Sequence, residues 1–147
     1  DRIEPWILSN DKLFFAFLAG YIDAEGDLGV YSNNSASLRI GTYGKNILSQ
    51  IQRRLLNKGI DVKFNLDRPK GSKVNLSKRD KDRGKANREY RTNQDFWRLA
   101  IYKKKSLLEL FNLISCYVKH PRIKNGLLKA RENIYWRNRR FGSLRME

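Results

Sequence analysis

The sequence predicts an α+β domain, an antiparallel sheet with helices packed on one of its faces. Apolar residues recur at helical spacing in some segments and alternate with polar residues in others, and these segments follow in the order α-β-β-α-β-β-α-α. This order favours an antiparallel sheet that leaves its second face free. With 147 residues and 40% apolar content, the chain fits a single domain spanning residues 1–147.

The first helix and the hairpin after it have clear signals. Asn10 and Asp11 can cap a helix that ends near Glu25 and Gly26. Its apolar residues recur at helical spacing: Leu13, Phe14, Phe17, Leu18, Tyr21 and Ile22. Residues 28–43 alternate instead, and the polar residues at 33–35 supply a turn. We therefore expect a β-hairpin after the first helix.

A helix, two strands and two further helices follow. Residues 47–55 return to helical spacing, and Gly59 lies where a helix stop is expected. Alternation at residues 62–66 and 97–101 predicts a second strand pair with a long insertion between its strands. Residues 107–117 and 123–134 predict the two closing helices.

The charge balance indicates a polyanionic partner. The chain has 31 Lys and Arg against 15 Asp and Glu, a net charge of +16, so nucleic acid is the first candidate. One Cys and one His exclude a cysteine-cluster zinc site and give little support to a Cys-His nucleophile. No segment predicts a membrane span or a secretory signal, so we expect an intracellular protein.

Two segments concentrate this charge. The basic insertion, residues 68–91, holds ten basic residues against three acidic ones. With so few apolar residues it cannot build a core, and we expect it to be mobile when free and to order against phosphates through residues such as Lys70 and Lys73. A solubilising loop is the alternative. The basic tail, residues 137–147, suits contacts with a nucleic-acid backbone.

Once the apolar residues are assigned to the core, alternation determines which residues lie on the free face of the sheet. Basic, amide and hydroxyl side chains of this kind hydrogen-bond base edges and phosphates, although an ordinary solvated face is the alternative. The residues expected to contact nucleic acid there are Tyr31, Asn33, Ser37, Arg39, Tyr43, Lys63, Asn65, Arg98 and Tyr102.

The first helix carries a strip of small residues and ends in acids. Ala16, Gly20 and Ala24 recur at four-residue spacing, which lets another helix approach closely, and Gly costs about 1 kcal/mol relative to Ala unless packing requires it. Acids at the helix C-terminus are unfavourable unless a cation is present. A two-fold axis along the strip would bring two such ends together, where a divalent cation such as Mg²⁺ could bind.

Residues 18–26, LAGYIDAEG, resemble the nine-residue signature of the LAGLIDADG homing endonucleases. They differ by Tyr21 for Leu and Glu25 for the second Asp. The element order and the stretch at residues 39–46 are also similar to that family, so the resemblance covers a core of about residues 10–136. It implies an αββαββα fold with a saddle-shaped sheet. Because the motif occurs once, it also implies a homodimer that makes Mg²⁺-dependent double-strand breaks in a long pseudo-palindromic DNA site.

The resemblance also implies roles for individual residues. Glu25 would be the catalytic, metal-binding acid, with Ala24 beside it in the metal site, while Asp23 would have a structural role at the helix end. The dimer interface would comprise Ala16, Ala19, Gly20, Asp23 and Ala24.

Two further active-site roles are less closely matched. The family's water-positioning polar residue corresponds to Gly44, so Asn46 or Tyr43 would have to substitute for it. For the cation that stabilises the transition state, residues 119–124 offer three candidates, of which Lys124 is our first choice and Lys119 the second. Contact with DNA phosphates alone is the alternative role for these cations.

Two other functions remain open at this stage. A non-catalytic intron RNA-binding maturase would use the same basic sheet to grip RNA. A structural nucleic-acid protein of ribosomal type is supported by charge alone. The presence of Glu25 favours the enzyme, because a binder has no need of this acid.

Overall fold

The computed structural model describes residues 1–74 and 89–140. In that part of the chain the elements are α1 (Pro5–Leu8), α2 (Asp11–Glu25), β1 (Gly26–Val30), β2 (Ala36–Thr42), α3 (Lys45–Asn57), β3 (Lys63–Arg68), β4 (Phe96–Ile101), α4 (Lys104–Ile114) and α5 (Pro121–Arg140). Parts of the predicted basic insertion (75–88) and basic tail (141–147) lie outside the described residues. Among the described helices, none combines the length and apolar character needed to cross a membrane.

The predicted first helix and its cap are confirmed. The Asn10 side chain accepts a hydrogen bond from the Leu13 N–H at 3.0 Å, which satisfies a backbone donor at the start of α2. At the other end, the Gly26 N–H closes the helix on the Ile22 carbonyl. Helix α1, which precedes this cap, was not predicted; it is a single turn beginning at Pro5.

The four strands form one antiparallel sheet in the order β1-β2-β4-β3. The β1–β2 hairpin pairs Gly26 with Ile40, and β2 pairs with β4 so that Ile40 lies opposite Leu99. The pair β1–β2 and the pair β3–β4 are thus joined by hydrogen bonds between β2 and β4. The predicted α+β class, strand pairing and element order are confirmed.

The register assigns every strand residue to one of two faces. On the helix side, rows such as Leu38–Ile101 and Ile40–Leu99 are 0–1% exposed and pack with the buried side chains of the helices. We call the other side the open face. Its rows, read across the sheet, are Asp27–Arg39–Ala100–Lys63 and Gly41–Arg98–Asn65.

Helix α5 covers the edge strand β1. A Cβ added at Gly126 would lie 2.1 Å from the Leu28 carbonyl oxygen, so the helix and strand backbones touch at this point. Further along, Asn133 Nδ2 donates to the Asn34 carbonyl in the hairpin turn at 3.1 Å. This packing protects an edge whose backbone groups would otherwise be open to another strand.

The described ends of the basic insertion are folded, which corrects our expectation that it orders only against phosphates. The Gly71 N–H donates to the Thr92 carbonyl at 2.8 Å, and Lys73 forms an isolated antiparallel bridge with Arg91. These are mostly backbone interactions that extend the β3–β4 pair. Composition does not reveal them, because backbone hydrogen bonds need no apolar side chains.

The contact between α5 and β1 predicts a stability effect. Gly126→Ala places a methyl group against backbone, which cannot yield as a side chain can, and should destabilise the fold by roughly 1–3 kcal/mol in urea unfolding. Gly29→Ala is the matched control, since nothing lies within 4 Å of its added Cβ. Equal stabilities for the two variants would contradict the close packing.

Candidate active site and nucleic-acid interface

Glu25 is the last residue of α2, and its side chain is exposed. Within residues 1–74 and 89–140 the Glu25 carboxylate makes no hydrogen bond or ion pair. The terminal carbonyls of the helix make this end partially negative, so an unpaired carboxylate is unfavourable here. Helix α2 passes directly into β1 at Gly26, which fixes this carboxylate at one end of the sheet.

The small-residue strip of α2 is only partly available to a partner. Gly20 and Ala24 are exposed, Ala16 is half-buried, and an added Cβ at Gly20 would meet nothing within 4 Å. Ala19, by contrast, is 0% exposed in the chain's own core, so its place in the predicted dimer interface is wrong. Ala19 is one residue before Gly20, and this single step along the helix turns its methyl group towards the core. The spacing of the small residues alone does not show which of them face the core and which face solvent.

Asp23 is used within the chain. Its Oδ2 accepts a hydrogen bond from the Lys119 backbone N–H at 2.7 Å, while its Oδ1 is shielded from solvent and has no hydrogen-bond partner in the described part of the molecule. The carboxylate therefore ties the segment before α5 to the end of α2. This contact agrees with the structural role expected for Asp23.

The three candidate cations differ in how they approach the end of α2. Arg122 Nη2 donates to the Gly26 carbonyl at 3.1 Å, directly after Glu25. Lys119 contacts the helix end through its backbone, and Lys124 is exposed on α5. Among the described contacts, Arg122 is the candidate whose side chain reaches this helix end.

The candidates for positioning water lie at the same end of the sheet as Glu25. Gly26 pairs with Ile40, so the last residues of β2 extend beyond the end of α2. Tyr43 follows β2 and is 49% exposed, and Asn46 is exposed in the first turn of α3. Gly44 caps that helix without a side chain.

The open face carries most of the residues predicted to bind DNA. By register and alternation it includes Tyr31, Arg39, Tyr43, Lys63, Asn65 and Arg98. Asn33 lies exposed in the hairpin turn, where its Oδ1 accepts from the Ser35 N–H. Lys70 and Lys73 are exposed beyond β3.

Ser37 is the exception on the open face, because it is only 3% exposed. The Arg39 guanidinium lies 4.4 Å from the centre of the Tyr31 ring, and this stack spans the row that pairs Gly29 with Ser37. The short serine side chain is therefore covered by its longer neighbours. The prediction that Ser37 contacts DNA is wrong for this arrangement of side chains.

Ion pairs orient two arginines of the interface. Arg98 Nη2 lies 2.9 Å from Asp67 Oδ2, and Arg68 Nε lies 4.0 Å from the same oxygen. Asp67 sits where the β3–β4 register shifts, so it is opposite no single residue of β4. The acid holds both guanidinium groups in place before any partner binds.

Tyr31 is the open-face residue with a clearly shifted pKa. Burial and then the neighbouring Asp27 carboxylate raise the pKa of Tyr31 to about 12, against the opposing charges of Arg39 and Arg122. Its hydroxyl oxygen is shielded and makes no hydrogen bond of good geometry with the described residues. The phenol therefore remains a protonated donor throughout the neutral pH range.

The sequence-based prediction missed Phe96, Asp67 and Arg68, and it ranked Arg122 below the two lysines. The sequence contains a signal for Phe96. It directly precedes Trp97, which lies on the helix side, so alternation along β4 places Phe96 on the open face. Arg68 was counted with the basic insertion, although it ends β3. The reach of Arg122 to Gly26 depends on how α5 packs, which no local pattern encodes.

The motif region matches a known family. The model of the LAGLIDADG-like domain matches residues 13–115, which is more than half of the chain and includes most of α2, all the described strands and the whole of α4. The chain belongs to the LAGLIDADG-like domain family.

Solved structures with a similar fold include homing endonucleases. The homing endonuclease I-CvuI in complex with its target in the presence of Ca has a TM-score of 0.52 and 18% identity, with 88% of this chain and 71% of that chain covered. I-CvuI in complex with the I-CreI target in the presence of Mg, with the DNA not cleaved, has a TM-score of 0.47 and 18% identity, covering 84% and 67%. No curated protein sequence matches the chain.

The shifted pKa of Tyr31 predicts an alkaline titration. One tyrosine should ionise near pH 12 by ultraviolet absorbance, and this step should disappear in Tyr31→Phe but persist in the exposed control Tyr135→Phe. Because the pKa of Tyr31 in the folded chain lies above the ordinary tyrosine pKa of 10.0, the stability that Tyr31 contributes is present below pH 10 and is lost as the pH rises through 12. An unchanged titration in Tyr31→Phe would contradict the assignment.

Proposed function

We propose that the chain is one subunit of a homodimeric, site-specific homing endonuclease that makes metal-dependent double-strand breaks in a long pseudo-palindromic DNA site. The observation that carries this proposal is the position of Glu25. Its exposed carboxylate, which has no partner among the described residues, stands at the end of a sheet with a cationic open face, beside an exposed strip of small residues. Membership of the chain in the LAGLIDADG-like domain family supports the same function.

Gly20 supports the homodimer. Glycine in a helix interior costs about 1 kcal/mol relative to alanine, yet no contact within residues 1–74 and 89–140 requires it, because an added Cβ would meet nothing there within 4 Å. A close-packed neighbouring helix would explain this residue. Two copies of α2 crossing at Gly20, Ala16 and Ala24 would bring two Glu25 side chains together.

The donors at the end of α2 fit a hard divalent cation only if two chains combine. Among the described residues, no group of three or more His, Cys, Asp or Glu could hold a metal ion. Glu25 would supply a carboxylate oxygen and Ala24 a backbone carbonyl oxygen, which is one of the helix-terminal carbonyls that lack an intrahelical partner. When bound there, Mg²⁺ would supply Lewis-acid activation of water and of the leaving phosphodiester oxygen.

The surrounding residues would orient and neutralise the phosphodiester. Arg122 is already held at the end of α2 by the Gly26 carbonyl, and its remaining N–H groups can donate to a phosphate. Lys119 and Lys124 remain candidates for transition-state stabilisation, and Asn46 or Tyr43 for holding the attacking water. Each subunit's open face would lie in the major groove of one half-site, with Arg39, Lys63, Asn65 and Arg98 directed at base edges and phosphates.

Removing the Glu25 charge should separate binding from cutting. Glu25→Gln should bind the duplex at least as tightly as the parent, because one repulsive charge is lost, while cleavage with Mg²⁺ falls by more than about a hundredfold. Single-turnover cleavage of duplexes selected by the parent chain from a random library measures this loss. Glu132→Gln, the same change at an exposed acid on α5, is the control and should cut normally.

One result would overturn the role of Glu25, and another would overturn the endonuclease activity itself. Cleavage by Glu25→Gln at the parent rate would reject the role of Glu25. A parent protein that binds structured RNA but cuts no duplex would instead indicate the non-catalytic maturase.

Bulk at the small-residue strip should prevent dimer formation. Gly20→Leu fills space that is empty in the single chain and replaces a poor helix former, so the monomer should stay folded while the helices can no longer meet. Sedimentation equilibrium should give a monomer mass for Gly20→Leu and a dimer mass for the parent. Asn125→Leu, with similar bulk on the exposed side of α5, should remain dimeric. A dimeric Gly20→Leu would reject the proposed two-fold axis.

A further inference from the structure

The open face contains an aromatic cluster centred on Phe96, a residue that has no role in the proposed endonuclease mechanism. Phe96 begins β4 on the open face, and its ring centre lies 5.1 Å from that of Tyr43 in an edge-to-face arrangement. The Arg68 guanidinium lies 4.4 Å from the centre of the Phe96 ring. We call Phe96, Tyr43 and Arg68 the aromatic cluster.

The Phe96 ring is held against the sheet by a glycine. A Cβ added at Gly41 would lie 2.7 Å from Phe96 Cε1 and Cζ, so the missing side chain is what allows the ring to lie over β2. With Arg68 over the ring and Tyr43 against it, the ring is fixed from three sides. This placement exposes apolar surface on a face that is otherwise polar, since Tyr43 remains 49% exposed and Phe96 half-buried.

The position of the cluster on the sheet is defined by register. Gly41 lies one residue beyond Ile40, the partner of Gly26, and pairs with Arg98. The aromatic cluster is therefore at the end of the sheet that carries Glu25, whereas Asn33 is in the hairpin turn at the opposite end. The neighbouring guanidinium groups of Arg68 and Arg98 give this apolar spot a cationic border that suits DNA.

We propose that the aromatic cluster reads the 5-methyl group of a thymine in the major groove, in the inner part of each half-site. This proposal rests on the proposed function, because it requires the open face to lie in that groove. Thymine presents an apolar methyl group there, and phenylalanine is one of the side chains that contacts it. The ring and the Tyr43 edge supply the apolar surface, while Arg68 and Arg98 can bind adjacent acceptors or phosphates.

Replacement of thymine by deoxyuridine tests the proposal, since it removes only the methyl group. The probe is a duplex selected by the parent chain from a random library, with each thymine replaced in turn. Binding of the parent should weaken about fourfold at one thymine position in each half-site, the effect of burying one methyl group. That position should lie nearer the cleaved bonds than the half-site edge.

Two variants connect the effect to the cluster. Phe96→Ser should bind the thymine and deoxyuridine duplexes equally at that position. Gly41→Ala, which displaces the ring without removing it, should also reduce the discrimination. Leu66→Ser, the same kind of change at a 41% exposed residue on the helix side of the neighbouring strand, should keep the parent's ratio.

The outcomes distinguish this inference from the proposed function. If duplexes are selected and cut but deoxyuridine weakens binding at no inner position, methyl reading is rejected and the endonuclease stands. Discrimination that survives in both Phe96→Ser and Gly41→Ala would also reject the role of the cluster. If no duplex is bound or cut, both proposals fail together.

Discussion

The direct passage of α2 into β1 is the constraint on which the rest of the site depends. Glu25 ends the helix and Gly26 begins the strand, so no connecting residue separates the acid from the sheet. The hairpin register then places the end of β2 beside the same point, because Gly26 pairs with Ile40. The position of Glu25 relative to the open face is therefore set by backbone geometry and by the buried face of α2, whose Leu18 and Ile22 are 0% exposed.

A second set of contacts brings a distant part of the chain to this junction. Asp23 accepts from the Lys119 backbone, and Arg122 donates to the Gly26 carbonyl, each across 96 positions of sequence. These bonds satisfy polar groups at the end of α2 that would otherwise need water or another partner. They also explain how the start of α5 can contribute a cation to a site built by the first hairpin.

The sequence predicts the elements well and the side-chain environments less well, for physical reasons. Periodicity locates α2 and the strands, because burial of one face imposes it directly. The same periodicity cannot tell that Ala19 points inwards while Gly20 does not, or that Ser37 is covered by the stack of Arg39 on Tyr31. Phe96 shows the reverse problem, since its apolar side chain is of the type that favours the core, yet it lies on the open face.

The two edges of the sheet limit how copies of the chain can associate. Strand β1 is covered by α5, whose Gly126 touches the Leu28 backbone, and β3 is irregular at Asp67 and carries the exposed Lys63. An edge of either kind resists the addition of another strand, which would extend the sheet without limit. Assembly through α2 would instead close on itself after two copies, because a two-fold contact uses the same surface of both partners. A two-fold contact of this kind would keep the oligomeric state of a strongly cationic chain with an open sheet face finite.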